Sequence, residues 1–151
     1  MSDTNAAGAL TTGGRQAAES PLVVFEARLN VQDDVTSHLA ELGRYGVVSR
    51  QWGEIRDYLE QHRDLTPLLT PICEQVRKEF RPPDELAMQL YRDPEIKDEY
   101  LTLYVRQLRY EANIMARIER LSDAFSERLE HASGYLLLTT DFSAPRGSNA
   151  L

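Results

Sequence analysis

The side-chain rhythm of this chain changes at Pro82–Pro83, and that change limits what it can fold into. Ahead of the two prolines, apolar residues recur every three or four positions, as one face of a helix requires. Beyond them, Leu86, Met88 and Leu90 alternate with Ala87, Gln89 and Tyr91. Leu101, Leu103 and Val105 alternate in the same way with Tyr100, Thr102 and Tyr104. A period of two places successive side chains on opposite faces of a strand. The turn chemistry of Asp93-Pro94-Glu95 between these runs predicts an antiparallel hairpin.

From Glu111 to His131 the helical period returns. Ile114, Ile118, Leu121, Phe125 and Leu129 step by four, three, four and four. Gly134 stands where a helix exit is expected, and a third strand is read from Tyr135 to Phe142. Upstream, Val31, Val35, Leu39 and Leu42 make one helical stripe, with Asn30 as its cap. Trp52, Ile55 and Leu59 make a second, capped by Ser49. Leu65, Leu68, Leu69, Ile72, Val76 and Phe80 make a third. Its Pro67 and Pro71 leave two readings: a helix starting at Pro71 behind Thr70, or a kinked helix starting near Asp64. Residues 22–29 fit a strand and a helix equally well.

The expectation is therefore an α+β fold, with N-terminal helices followed by a β-β-α-β unit. Its sheet is expected to be three-stranded and antiparallel, in order 2-1-3, with one long helix on a face. One domain over residues 22–142 is expected between disordered tails at 1–21 and 143–151, where Gly, Ala, Ser and Asn dominate.

The two sheet faces differ in kind. Leu86, Met88, Leu90, Leu101, Leu103, Val105, Leu136, Leu138 and Phe142 share one. Gln89, Tyr91, Tyr100, Thr102, Tyr104, Tyr135, Leu137, Thr139 and Asp141 share the other. Tyrosine suits a surface that is apolar in body and polar at its tips. Either the N-terminal helices cover this second face, or part of it is a contact surface in which Tyr91, Tyr100, Tyr104 and Tyr135 take part. On the long helix, Glu119, Asp123, Glu127 and Glu130 fall within ~80° of one another. Such a stripe is ordinarily a solvated face, and its alternative is a docking strip for a basic partner.

No catalytic signature is present. His38, His62 and His131 are far apart, and Cys73 lies among apolar residues of the third helical stripe. No phosphate loop, nucleotide fingerprint or nucleophile elbow occurs, so no cofactor is expected. Asp93, Glu95 and Asp98 cluster on the hairpin loop and are weak metal candidates, since their spacing fits no calcium loop. A metal-dependent hydrolase built on them is the enzymatic alternative. Arg106, Arg109, Arg117 and Arg120 form a basic corner that is expected to pair with nearby acids more readily than with phosphate.

The net charge of −7 disfavours nucleic acid and anionic membrane as partners. Apolar runs are far shorter than the ~20 residues of a membrane span. A single cysteine and the absence of a leader-like start predict a cytoplasmic protein.

The segments Trp52-Gly53-Glu54-Ile55-Arg56, Asp64-Leu65, Asp93-Pro94-Glu95 and Tyr100 to Arg106, then a long helix and Gly134 to Phe142, resemble a group of small bacterial α+β proteins of no assigned function. The likeness spans roughly residues 22–146. Proteins of this build are in some cases one half of a two-gene pair such as toxin–antitoxin. The resemblance brings no named function and no catalytic residues with it. The acidic surface, the absence of catalytic motifs, the aromatic sheet face and the flexible ends lead instead to the expectation of a non-catalytic protein that binds another protein, antitoxin-like in one form. A homo-oligomeric scaffold using the tyrosine face or the sheet edge is a further alternative.

Overall fold

The computed structural model describes residues 35–147. The expectations placed on residues 22–29, on the Asn30 cap and on the N-terminal tail lie outside the described residues. Residues 35–44 are helical (α1) and are followed by a two-residue strand, β1 (Val47–Val48). Helices α2 (Trp52–Gln61) and α3 (Thr66–Glu79) come next. A hairpin of β2 (Glu85–Asp93) and β3 (Asp98–Arg106), the long helix α4 (Ile114–Glu130) and β4 (Leu136–Thr139) complete the order.

The period change at Pro82–Pro83 thus falls between α3 and the hairpin, but the expected sheet needs correction. Among the described residues it is four-stranded and mixed, in the order β1-β2-β3-β4, not three-stranded and antiparallel. Only the β2–β3 pairing is antiparallel, running from Glu85↔Arg106 to Asp93↔Asp98. The last strand lies parallel to β3, from Leu101↔Leu136 to Tyr104↔Thr139, instead of beside β2. The reason lies in α4. Its 17 residues rise about 26 Å, close to the ~30 Å of the nine-residue β3. The helix therefore returns the chain to the end where β3 began, and a strand leaving from there runs parallel to it.

The seat on the far side of β2 belongs to β1, which pairs Val47↔Leu86 and Val48↔Ala87 in parallel. Two residues carry no periodicity, so no pattern in the sequence announces this strand. Farther along the same edge, the Gln51 side-chain oxygen accepts the Leu90 N–H at 3.0 Å. It satisfies a ladder donor that β1 is too short to reach.

Local chemistry moved several boundaries. Ser49 Oγ accepts the Gln51 N–H two residues on, and α2 starts after that turn without a side-chain cap. The third helix is one segment that begins at Thr66, with Pro71 inside it. β4 ends at Thr139 because the next residues bond locally. Thr140 Oγ1 accepts the Phe142 N–H and Asp141 Oδ1 accepts the Ser143 N–H. Phe142 leaves the aliphatic face, turns to φ 57° and is exposed, with its ring 5.1 Å from that of Tyr110.

One hydrophobic core joins the helices to one sheet face. Ile55, Leu59, Leu69, Ile72, Val76, Phe80, Ile118 and Phe125 pack with Leu86, Met88, Leu101, Leu103, Val105, Leu136 and Leu138. Cys73 lies in the same core, and burial pushes its thiol up to about 12, which makes it a packing residue and not a nucleophile. None of the residues on the tyrosine-bearing face enters this core. Over the described residues, the helices that enter this core therefore lie on the aliphatic side of the sheet, while Ala87, Thr102 and Arg106 of the other side are themselves buried. Phe125 is 1% exposed at the centre of α4. Phe125→Ala is expected to cost ~3–5 kcal/mol in urea or thermal unfolding; a loss under ~1 kcal/mol would show that α4 does not hold the core.

Candidate functional site

Strand register builds the second sheet face row by row. Tyr91 pairs with Tyr100, Gln89 with Thr102, Ala87 with Tyr104 and Glu85 with Arg106. Leu137 and Thr139 continue the middle rows on β4. The Tyr135 carbonyl accepts the Leu101 N–H at 2.9 Å, which brings Tyr135 alongside Tyr100. The result is a line of three phenol rings. Tyr91 and Tyr100 lie 4.8 Å apart and tilted, and Tyr100 and Tyr135 meet edge-on at 6.4 Å and 74°. Such offset and edge contacts are the favoured geometries for aromatic pairs. Tyr91 and Tyr135 are 42% and 49% exposed, while Tyr100 is half-buried between them. That partial burial, with the neighbouring Tyr91 and the Asp98 carboxylate, raises the Tyr100 phenol above its ordinary value.

Beside this line runs a groove of about 670 Å³ between the hairpin tip, the start of β4 and the end of α2. Tyr100, Tyr135 and Leu137 line it together with Asp98, Glu99 and Lys97. Its end wall is Tyr58 of α2, whose hydroxyl accepts the Tyr135 N–H at 3.1 Å and donates to the Glu99 carbonyl at 3.4 Å. Burial pushes the Tyr58 phenol upward, so it stays a neutral donor and acceptor. His62 stacks on Tyr58 at 4.3 Å and lies 3.0 Å from Ser133 Oγ. Asp64 accepts both the Ser133 N–H and the Ser133 hydroxyl, which holds its carboxyl below the usual range. Gly134 threads between these groups. A Cβ there would sit 2.9 Å from His62 Cβ and 3.0 Å from the Tyr58 hydroxyl. Close approach, not a left-handed helix exit, is what requires glycine at this position.

The other sequence candidates fall elsewhere. Tyr104 stands apart from the tyrosine line, under the Arg106 guanidinium at 5.3 Å. Arg106 is 2% exposed; it donates to Asp141 at 3.2 and 2.9 Å and to Glu85 at 3.4 Å. Glu119, Asp123 and Glu127 are exposed on α4, on the far side of the helical layer from the tyrosines. The structure does not bring the acidic stripe and the aromatic line together. Asp93 Oδ1 accepts the N–H groups of Glu95 and Ile96, which is turn chemistry. Among the described residues no three His, Cys, Asp or Glu side chains are placed to share a metal ion. The basic corner is largely consumed by acids: Arg117 pairs with Glu79 and Glu111, and Arg120 with Glu79. Among the described residues no helix is long and apolar enough to cross a membrane.

Tyr58, His62, Ser133 and Leu137 complete the groove, and of these only Leu137 was legible from the sequence as part of the tyrosine face. Tyr58 lies next to Leu59 of the second helical stripe, and its hydrogen-bond partners are 41 and 77 residues away.

No protein-family model matches the chain, no curated protein matches it, and no solved structure matches its fold.

Two outcomes follow for this face. Gly134→Ala forces His62 and Tyr58 apart and is expected to cost ~1–3 kcal/mol by thermal melting, as overpacking does. For Asp141, the Arg106 guanidinium holds the carboxyl below its usual value. A lowered folded pKa contributes stability above the unfolded value of about 3.9 and loses it as pH falls through the folded value. Asp141→Asn is thus expected to cost ~1–3 kcal/mol at pH 7, less than a fully buried pair because the carboxylate is 32% exposed. The gap to the unaltered protein should close as urea melts are moved from pH 5 to pH 2, and a constant gap would assign the cost to packing instead.

Proposed function

We propose that this chain is a non-catalytic protein-binding module that uses the Tyr91–Tyr100–Tyr135 line as its contact surface. The observation that carries the reading is the division of the sheet. Every described helix that enters the core packs on the aliphatic face, and the opposite face keeps Tyr91 and Tyr135 about half exposed. Tyrosine offers a large contact area at a low cost in side-chain entropy and is enriched where binding energy concentrates. A partner covering these rings would bury apolar carbon while leaving the hydroxyls able to bond at the rim.

A regulatory, antitoxin-like role in a cytoplasmic setting is one form of this reading, supported by the resemblance to small bacterial proteins and by the lone buried cysteine. The hydrolase alternative has no comparable support, because the Asp93 carboxylate closes its own turn.

The test is a double variant, Tyr91→Ala with Tyr135→Ala, purified from the native host beside the unaltered protein. Both side chains are surface groups, so stability is expected to change by no more than about 1 kcal/mol. The unaltered chain should co-purify with a protein that the variant loses. Light scattering would reveal a second copy as the occupant by a mass that rises with concentration. A bare monomeric chain from the native host, or a partner retained in full by the double variant, sinks the reading.

A further inference from the structure

The tyrosine-bearing face already recognises one cation, its own. Arg106 lies over the Tyr104 ring at 5.3 Å while its nitrogens are held by Asp141 and Glu85. A phenol face, a carboxylate and a guanidinium form one unit there: the ring attracts the cation through its quadrupole, and the carboxylate takes the planar N–H groups. Farther along β3, the same face carries the first two parts without the third. Tyr100 and Tyr135 meet at 74°, so their rings form two walls of a corner. Asp98 and Glu99 border the groove at that corner, and Leu137 adds an apolar surface. Among the described residues no arginine or lysine lies over either ring.

Charge around the corner is mixed but not balanced. Lys97 and His62 also line the groove, and Glu99 is bound by Arg92 at 2.6 Å. Asp98 has no ion-pair partner among the described residues. Asp93 and Glu95 add to the negative potential of the hairpin tip, on a chain of net charge −7. An incoming cation is therefore favoured and an anion is not.

We propose that the Tyr100–Tyr135 corner binds an arginine side chain presented by an extended, basic segment of a partner protein. This rests on the protein-binding reading and names the chemistry of the partner. The guanidinium stacks in the corner and reaches Asp98, and its three-carbon stem lies along Leu137. Arginine is chosen over lysine because a planar fork can stack on a ring and bond a carboxylate at once. A segment is chosen over a free amino acid because the aromatic line continues past the groove to Tyr91.

The experiment is a titration of the full chain with three fluorescent peptides of equal length, bearing four arginines, four lysines or four glutamates on a Gly-Ser background. Anisotropy is the readout, and backbone NMR of the labelled protein locates the contact. The arginine peptide is expected to bind with shifts at Tyr100, Tyr135 and Leu137, at least about threefold more tightly than the lysine peptide, and the glutamate peptide is expected not to bind. Tyr135→Ala should weaken the arginine peptide about tenfold, Asp98→Asn about threefold or more, and Tyr135→Phe should retain binding because it keeps the ring. Thermal melts show that each variant is folded. Binding that survives Tyr135→Ala and Asp98→Asn unchanged is plain attraction to an acidic chain and overturns the proposal. A lysine peptide that binds as tightly as the arginine peptide overturns the guanidinium assignment. If the native partner is lost on alteration of Tyr91 and Tyr135 but the arginine peptide does not bind, this inference falls and the protein-binding reading stands. If neither partner nor peptide is captured, both fall.

Discussion

Aliphatic side chains at every second position of β2, β3 and β4 must be kept from water together, and the rest of the molecule is arranged around that requirement. Leu86, Met88, Leu101, Leu103 and Val105 are fully buried, and each contributes on the order of 1.5–3 kcal/mol by leaving water. A strand shows its two faces in strict alternation, so hiding one set fixes where the other set points. The helices, each with its own apolar stripe, gain most by covering this same face. Ile55, Leu69, Ile72, Ile118 and Phe125 all do so. The tyrosines are then turned outward as a consequence of burying the leucines.

Arginines hold the joints between these elements. Arg77 Nε donates to the Tyr45 carbonyl at 2.7 Å, and Nη1 donates to the carbonyls of Phe80 and Asp84. One side chain thus ties the end of α1, the end of α3 and the approach to β2. Burial lowers its pKa, yet a guanidinium remains charged at any ordinary pH. Gly46, at φ 84°, passes so close that a Cβ there would meet Arg77 Nη2 at 2.8 Å. Arg117 similarly joins α4 to the end of α3, donating to the Glu79 carboxylate and carbonyl while lying 4.4 Å from the Phe80 ring. Arg106 clamps β3 to Asp141 beyond β4 and to Glu85 of β2. These three guanidinium groups are occupied with carbonyls and carboxylates of neighbouring elements.

The same placement separates the two surfaces that the residues alone suggested as docking strips. The acidic stripe of α4 faces away from the sheet, and the tyrosine line faces away from the helices. A single compact ligand cannot touch both. Of the two, only the tyrosine line combines ring-to-ring contacts, a groove beside them and backbone anchoring through Tyr58 and Tyr135. The glutamates of α4 are exposed on a convex helix, where charges are well hydrated and weakly directive.

Periodicity alone determined the start of the hairpin after Pro82–Pro83, the hairpin of β2 and β3, the long helix and the composition of both sheet faces as far as Thr139. These are local facts, written in side chains two or four positions apart. Pairing order was not among them. The parallel seat of β4 depends on the length of α4, and the two-residue β1 shows no pattern that could reveal it. Which face the helices would cover was equally open, because their stripes suit either side of a sheet. Of the candidate site, Tyr91, Tyr100 and Tyr135 were legible as one face, whereas Tyr58, His62 and Gly134 belong to it only through contacts spanning tens of residues. Short-range spacing dictates what each element is, and long-range packing alone decides which elements meet.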